Sequence, residues 1–130
     1  KSAERGWILF SEKIYCTKCH VPPHFTNFTT ENNGLYATYE DKFDKGRFRI
    51  NGDSSEIGSF KVPVLRNISQ TAPYMHDGSI SNLTKVLDHY SKGGKGHFNQ
   101  SKIIAPFTLS NQEKIDLLEF FKSLSGTVKD

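Results

Sequence analysis

The sequence predicts an all-α domain with long loops, and three observations carry that expectation. Apolar residues recur at three- and four-residue spacing in three stretches, over 2–15, 81–91 and 110–124. Residues 25–60 between the first two stretches are irregular and full of turn chemistry. The pentapeptide Cys16-Thr17-Lys18-Cys19-His20 sits directly after the first stretch.

The first helix is expected over 2–15, with Ala3, Trp7, Phe10 and Ile14 on one face. Gly6 lies on that face and allows another helix to approach closely. Pro22 and Pro23 end regular structure after His20. A carbonyl near that proline pair is expected to accept the Nδ1 proton of His20 and fix its tautomer. Asn32-Asn33-Gly34 and Asn51-Gly52-Asp53 mark turns in the long loop. Phe60 to Leu65 is a short apolar run broken by Pro63, and a turn-rich loop from Thr71 to Gly78 carries the single methionine, Met75. A second helix is expected to start with Ser81 as N-cap and to run to about Ser91, stopped by Gly93-Gly94. Leu83, Val86, Leu87 and Tyr90 share one of its faces. The last helix opens with a Ser110/Glu113 capping box. Its expected buried stripe is Ile115, Leu117, Leu118, Phe121 and Leu124, with Asp116, Glu119 and Lys122 facing solvent.

Cys16 to His20 spell C-x-x-C-H, the attachment signal for a c-type haem. Two thiols one turn apart can form thioethers with the two vinyl groups, and the adjacent histidine then points at the iron. The chain has 2 cysteines, so none is left for a disulfide. A thioredoxin-like pair asks for a preceding strand, whereas a helical, aromatic-rich segment stands here. A structural zinc site asks for four ligands; Cys16, Cys19 and His24 supply three and no second cysteine or histidine pair completes them.

With 130 residues one domain is expected. A hydrophobic fraction of 35% is low for a self-sufficient core, and a large apolar cofactor or a partner domain would make up the difference. The net charge of +3 comes from scattered lysines and arginines, which permits docking to an acidic partner and does not argue for nucleic acid. No apolar run approaches the ~20 residues of a membrane span. Haem attachment to this motif takes place outside the bacterial cytoplasm, so a periplasmic location is expected, with a leader removed or upstream.

The runs Phe60 to Ile68, Thr71 to Ser79, Leu83 to Tyr90 and Leu109 to Ser125 resemble the C-terminal half of bacterial di-haem cytochrome c peroxidases and their MauG-like relatives, from about Gly6 to Gly126. The resemblance implies a small cytochrome c-like domain spanning 1–130, one of two in a di-haem protein. An N-terminal domain would carry the peroxide-reducing haem. This domain would relay electrons to it from a small cytochrome or cupredoxin. His20 is then the fifth ligand. For the sixth, family position points to Tyr90, where the MauG-like members have tyrosine, while haem chemistry favours Met75, a thioether suited to a high potential. Both stand at this point. Phe25 and Phe28 (and Tyr36) are candidates to line a haem edge, and Arg66 to pair with a propionate, with Lys61 and Arg47 as weaker alternatives. The family also holds an interdomain calcium, to which the carbonyls of Thr71 and Pro73 would contribute, and its members often form homodimers. Three other functions stand beside the relay: a freestanding mono-haem electron carrier that catalyses nothing, part of a MauG-like oxidase with a His20/Tyr90 haem, and a haem with an open sixth position that reacts with peroxide itself.

Overall fold

The computed structural model describes residues 1–126. Four α-helices form its framework: α1 (Ser2–Ile8), α2 (Phe48–Asn51), α3 (Leu83–Ser91) and α4 (Asn111–Ser123). Two-residue strands β1 (Thr30–Glu31) and β2 (Phe60–Lys61) pair antiparallel, Thr30 with Lys61 and Glu31 with Phe60. The rest is loops and single helical turns, so the expected all-α class holds, and the irregular 25–60 stretch contains β1, the one-turn α2 and a 3₁₀ turn over Ser54–Glu56.

The first and last helices cross, and Gly6 is the reason they can. A β-carbon at position 6 would lie 2.1 Å from the Asp116 carbonyl oxygen and 2.7 Å from the Phe120 β-carbon. Only a residue without a side chain permits that approach. Around the crossing lie Phe10, Phe25, Leu65, Leu87, Leu117, Phe120, Phe121 and Leu124, the buried apolar core. Phe10 is 1% exposed, and its ring meets Phe120 at 5.1 Å and Phe25 at 6.1 Å between centroids. Trp7 caps this cluster, tilted against Phe120 at 5.7 Å.

The crossing also corrects the predicted face of the last helix. Asp116 was expected in solvent and is buried; Ile115 was expected in the core and is 51% exposed. The contact line of α1 runs over Asp116 and Phe120, which turns Ile115 outward. Asp116 repays its burial by bonding. Arg5 grips its carboxylate through two nitrogens, each at 2.7 Å, Gln112 donates at 3.0 Å, and the Ser2 hydroxyl donates as well. These donors, Arg5 foremost, hold the Asp116 carboxyl far below the usual carboxylate range.

The expected capping box on α4 is present: Ser110 Oγ accepts from the Glu113 N–H at 3.2 Å, and Glu113 Oε2 accepts from the Ser110 N–H at 2.8 Å. On α3 the cap is Asn82 rather than Ser81. Asn82 is the extended residue before the helix, and its Oδ1 accepts from the Lys85 N–H at 2.9 Å. Gly93, at φ 79°, stops α3 as expected. The first helix does not run regularly to residue 15. After Ile8 it widens into a π-helical turn, Leu9–Lys13, closed by the Ile14 N–H on the Leu9 carbonyl at 2.9 Å.

Gly6→Ala is expected to destabilise the chain by about 2–3 kcal/mol or more, since neither backbone can yield, as read from denaturant midpoints. The Asp116 contribution has a definite pH sign. Its folded value lies below its unfolded one, so the stabilisation is complete above the ordinary carboxylate range and is lost as pH falls toward the folded value. The melting-temperature gap between the native chain and Asp116→Asn should be constant near neutrality and narrow below about pH 4.

Candidate functional site

The π-helical turn delivers the chain into Tyr15, which takes the left-handed conformation at φ 52°. Cys16–Lys18 then form a single 3₁₀ turn. The Cys16 carbonyl accepts from both the Cys19 N–H, at 3.2 Å, and the His20 N–H, at 2.8 Å. This turn places the two thiols, three residues apart, on one side. Both are free, and each thiol is raised: Cys16 to about 12, by burial first and then by its neighbour Cys19, and Cys19 by burial and by Glu31. Neither has the lowered value that activates a redox cysteine. Among the described residues, no three histidine, cysteine or acidic side chains gather as a metal cluster, so His24 does not join the pair in a zinc-type set.

His20 is oriented by its other nitrogen. Its Nδ1 lies 2.8 Å from the Phe25 carbonyl oxygen, two residues beyond the proline pair. A carbonyl only accepts, so Nδ1 carries the proton and Nε2 keeps its lone pair. Burial lowers the imidazole against the opposing pull of the Phe25 and Pro63 backbone, which favours the neutral ring.

Phe25 therefore has two jobs. Its left-handed backbone, at φ 58°, turns its carbonyl to His20, while its ring is buried against Trp7, Phe10 and Phe120. The ring belongs to the helix-crossing core. Phe28 is 61% exposed, edge-on to His24 with Lys61 above it. Tyr36 stacks on Phe43 and donates its hydroxyl to Asp77 at 2.5 Å. Arg66 lies over the Phe25 ring, and its Nε donates to the Pro23 carbonyl at 2.9 Å. The Arg66 guanidinium thus straps the loop that follows His20. His76 stacks flat on Phe60, with centroids 3.7 Å apart.

Tyr90 and Met75, on different elements, come to one place. Tyr90 projects from the last turn of α3. Its side chain is half-buried, and burial pushes the phenol above its ordinary value, with Asn33 opposing the rise and the Cys16 and Cys19 thiols adding to it. Met75 sits in a tight loop at φ 72°, closed by reciprocal backbone bonds between Tyr74 and Ile80. Asn33 Nδ2 donates to Tyr90 Oη at 3.2 Å and to Met75 Sδ at 3.3 Å. Sequence reading gave Asn33 only as part of a turn; nothing in the chain's pattern flags it.

Among the described residues, Tyr15, Phe25 and Met75 are three of five non-glycine residues with positive φ, beside Phe28 and Asn67; they respectively precede the cysteine turn, orient His20 and meet Asn33. Such conformations are costly for side-chain-bearing residues and collect where geometry is functionally constrained.

No protein-family model matches the chain. It is 37% identical to the methylamine utilization protein MauG of Methylorubrum extorquens over 95% of this chain and 35% of that protein. It is 30% identical to cytochrome-c peroxidase IdrP1 of a Pseudomonas species over 95% of this chain and 40% of that protein. The fold superposes on a MauG-like protein associated with microbial copper homeostasis with a TM-score of 0.91 and 34% identity, over 98% of this chain and 47% of that one. The chain spans well under half the length of the curated relatives it matches. It belongs to the superfamily of MauG-like proteins and di-haem cytochrome c peroxidases, and has that superfamily's small cytochrome c-like all-α fold.

Proposed function

We propose that residues 1–130 are one cytochrome c-like domain of a two-domain di-haem oxidoreductase of the MauG-like kind, and that they relay electrons. The chain would hold one haem c through thioethers from Cys16 and Cys19, with His20 and Tyr90 as the residues that would bind its iron. The observation that carries this reading is the donor set. Two free thiols share one turn, an adjacent imidazole has its Nδ1 committed to the Phe25 carbonyl, and the half-buried Tyr90 phenol accepts from the Asn33 amide beside Met75 Sδ. Among the described residues Tyr90 Oη accepts a hydrogen bond and has no acceptor for its own proton. Tyr15 and Val21, which bracket the Cys16–His20 run in sequence, and Val64, next to Pro63, are exposed apolar side chains that an apolar cofactor would help to cover.

When bound, the haem supplies the redox change and the positive charge beside which a phenolate is stable. The chain's own residues do the rest. Phe25 orients His20 through Nδ1, Arg66 fixes the intervening loop, and the aromatic core keeps water from one side. By position in the family the domain is the C-terminal one. It would pass electrons from a small cytochrome or cupredoxin to a peroxide-reducing haem on a preceding N-terminal domain, in the periplasm. The exposed Thr71 and Pro73 would offer carbonyls to a calcium shared with that domain. No helix among the described residues is long and apolar enough to cross a membrane.

One observation favours a second reading, a His20/Met75 haem: Met75 Sδ shares the Asn33 amide with Tyr90 and so lies beside the same place. The test is the reduction potential of the haem-loaded chain with each ligand removed in turn. A phenolate stabilises ferric iron and a thioether ferrous iron. Tyr90→Phe should raise the potential, and Met75→Leu should leave it near the native value. A fall on Met75→Leu with loss of a thioether–iron charge-transfer band, and no change on Tyr90→Phe, would establish the second reading instead.

A further inference from the structure

The turn 32–34 is held from several directions. Asn32 is 1% exposed; its Nδ2 donates to the Ile57 carbonyl at 3.1 Å and bonds His97 Nδ1 at 3.2 Å. Its Oδ1 accepts from the Gly34 N–H at 2.9 Å, and its carbonyl accepts from the Ser101 N–H at 2.9 Å. Asn33 is fixed in turn. Its carbonyl accepts from His89 Nε2 at 2.9 Å, which ties it to the residue before Tyr90 on α3. Its Oδ1 accepts from the Leu35 N–H at 3.2 Å. That bond settles which end of the amide is which, because a backbone N–H can only donate. The NH₂ group is left to face inward, and its hydrogens serve Tyr90 Oη and Met75 Sδ.

We infer that Asn33 is the positioning residue for the sixth haem ligand: its amide holds the Tyr90 oxygen toward the site and ties back the Met75 sulfur. This rests on the reading of Tyr90 as ligand. An N–H donor engages one lone pair of the phenol or phenolate oxygen and leaves another for the iron, and it offers nothing that would accept the Tyr90 proton. A thioether already accepting one hydrogen bond in a loop closed at Tyr74 and Ile80 is held in a fixed place. Asn33 therefore sets which of two adjacent donors is presented, and His89 sets Asn33 relative to α3.

The variant that separates positioning from structure is Asn33→Asp. It keeps an oxygen for the Leu35 N–H, so the turn bond survives, and it replaces the donating NH₂ by an oxygen that cannot donate. Asn33→Ala, which removes both, is the companion. The readout is resonance Raman and optical spectroscopy of the ferric and ferrous haem-loaded chain, with Tyr90→Phe and Met75→Leu as references and circular dichroism to confirm folding. The native chain should show phenolate ring modes that vanish in Tyr90→Phe. Asn33→Asp should lose or shift those modes and gain a thioether–iron charge-transfer band, which Met75→Leu added to it should abolish. Native phenolate modes in both folded Asn33 variants overturn the positioning role while leaving Tyr90 as ligand. Absence of phenolate modes from the native chain removes Tyr90 as ligand, and this proposal falls with it.

Discussion

The close crossing of α1 and α4 at Gly6 is the constraint from which the rest of the structure follows. It fixes the direction in which the chain leaves α1 and therefore where the cysteine turn begins. It also assembles the ring cluster of Phe10, Phe25 and Phe120. Phe25 carries that packing into the site, because the residue whose ring is locked in the core is the residue whose carbonyl fixes His20. A small domain with a modest apolar content thus uses one aromatic residue both as core and as ligand support. The Arg5–Asp116 contact secures the crossing from its polar side, where losing the half-exposed Arg5 would leave the buried Asp116 carboxylate without its foremost partner.

The opposite side of the site is built differently. No close helix packing supports Met75 or Tyr90 together; a hydrogen-bonded turn does. Asn32 anchors that turn to the 54–58 region and to His97, and Asn33 reaches the two candidate ligands. His97 accepts from the Asn32 amide and from the Asn99 N–H through the same Nδ1. That makes it a neutral, structural histidine rather than a ligand. The long irregular stretch that a small domain would not ordinarily tolerate is thus accounted for. It wraps the site and delivers polar groups that neither helix could supply.

Much of this was legible in the chain. C-x-x-C-H, the role of Gly6, the Ser110/Glu113 box and the Gly93 stop each depend on residue types at fixed local spacing, and local spacing is what a sequence displays. The parts that were not legible depend on contacts between distant segments. Asp116 reads as a surface carboxylate until α1 lies across it, and Ile115 reads as core until the same contact turns it outward. Ser81 and Asn82 are both good N-caps, and only the backbone decides between them. The π-helical turn has no residue signature here, since it answers the need to aim Cys16 after the helix has committed to Gly6. Asn33 was hidden for the same reason, because its partners lie 42 and 57 residues away.

Everything at this site turns on whether Cys16, Cys19 and His20 hold a haem covalently, and intact-mass spectrometry of the chain made alongside haem-attachment machinery decides it. The expected mass is raised by one haem that survives acid and organic solvent. No noncovalent loss is expected, and the stable adduct should disappear when both cysteines become serine. A chain that emerges at its polypeptide mass under the same treatment, with haem extracted freely or with a thiol-bound metal in its place, would contradict covalent attachment.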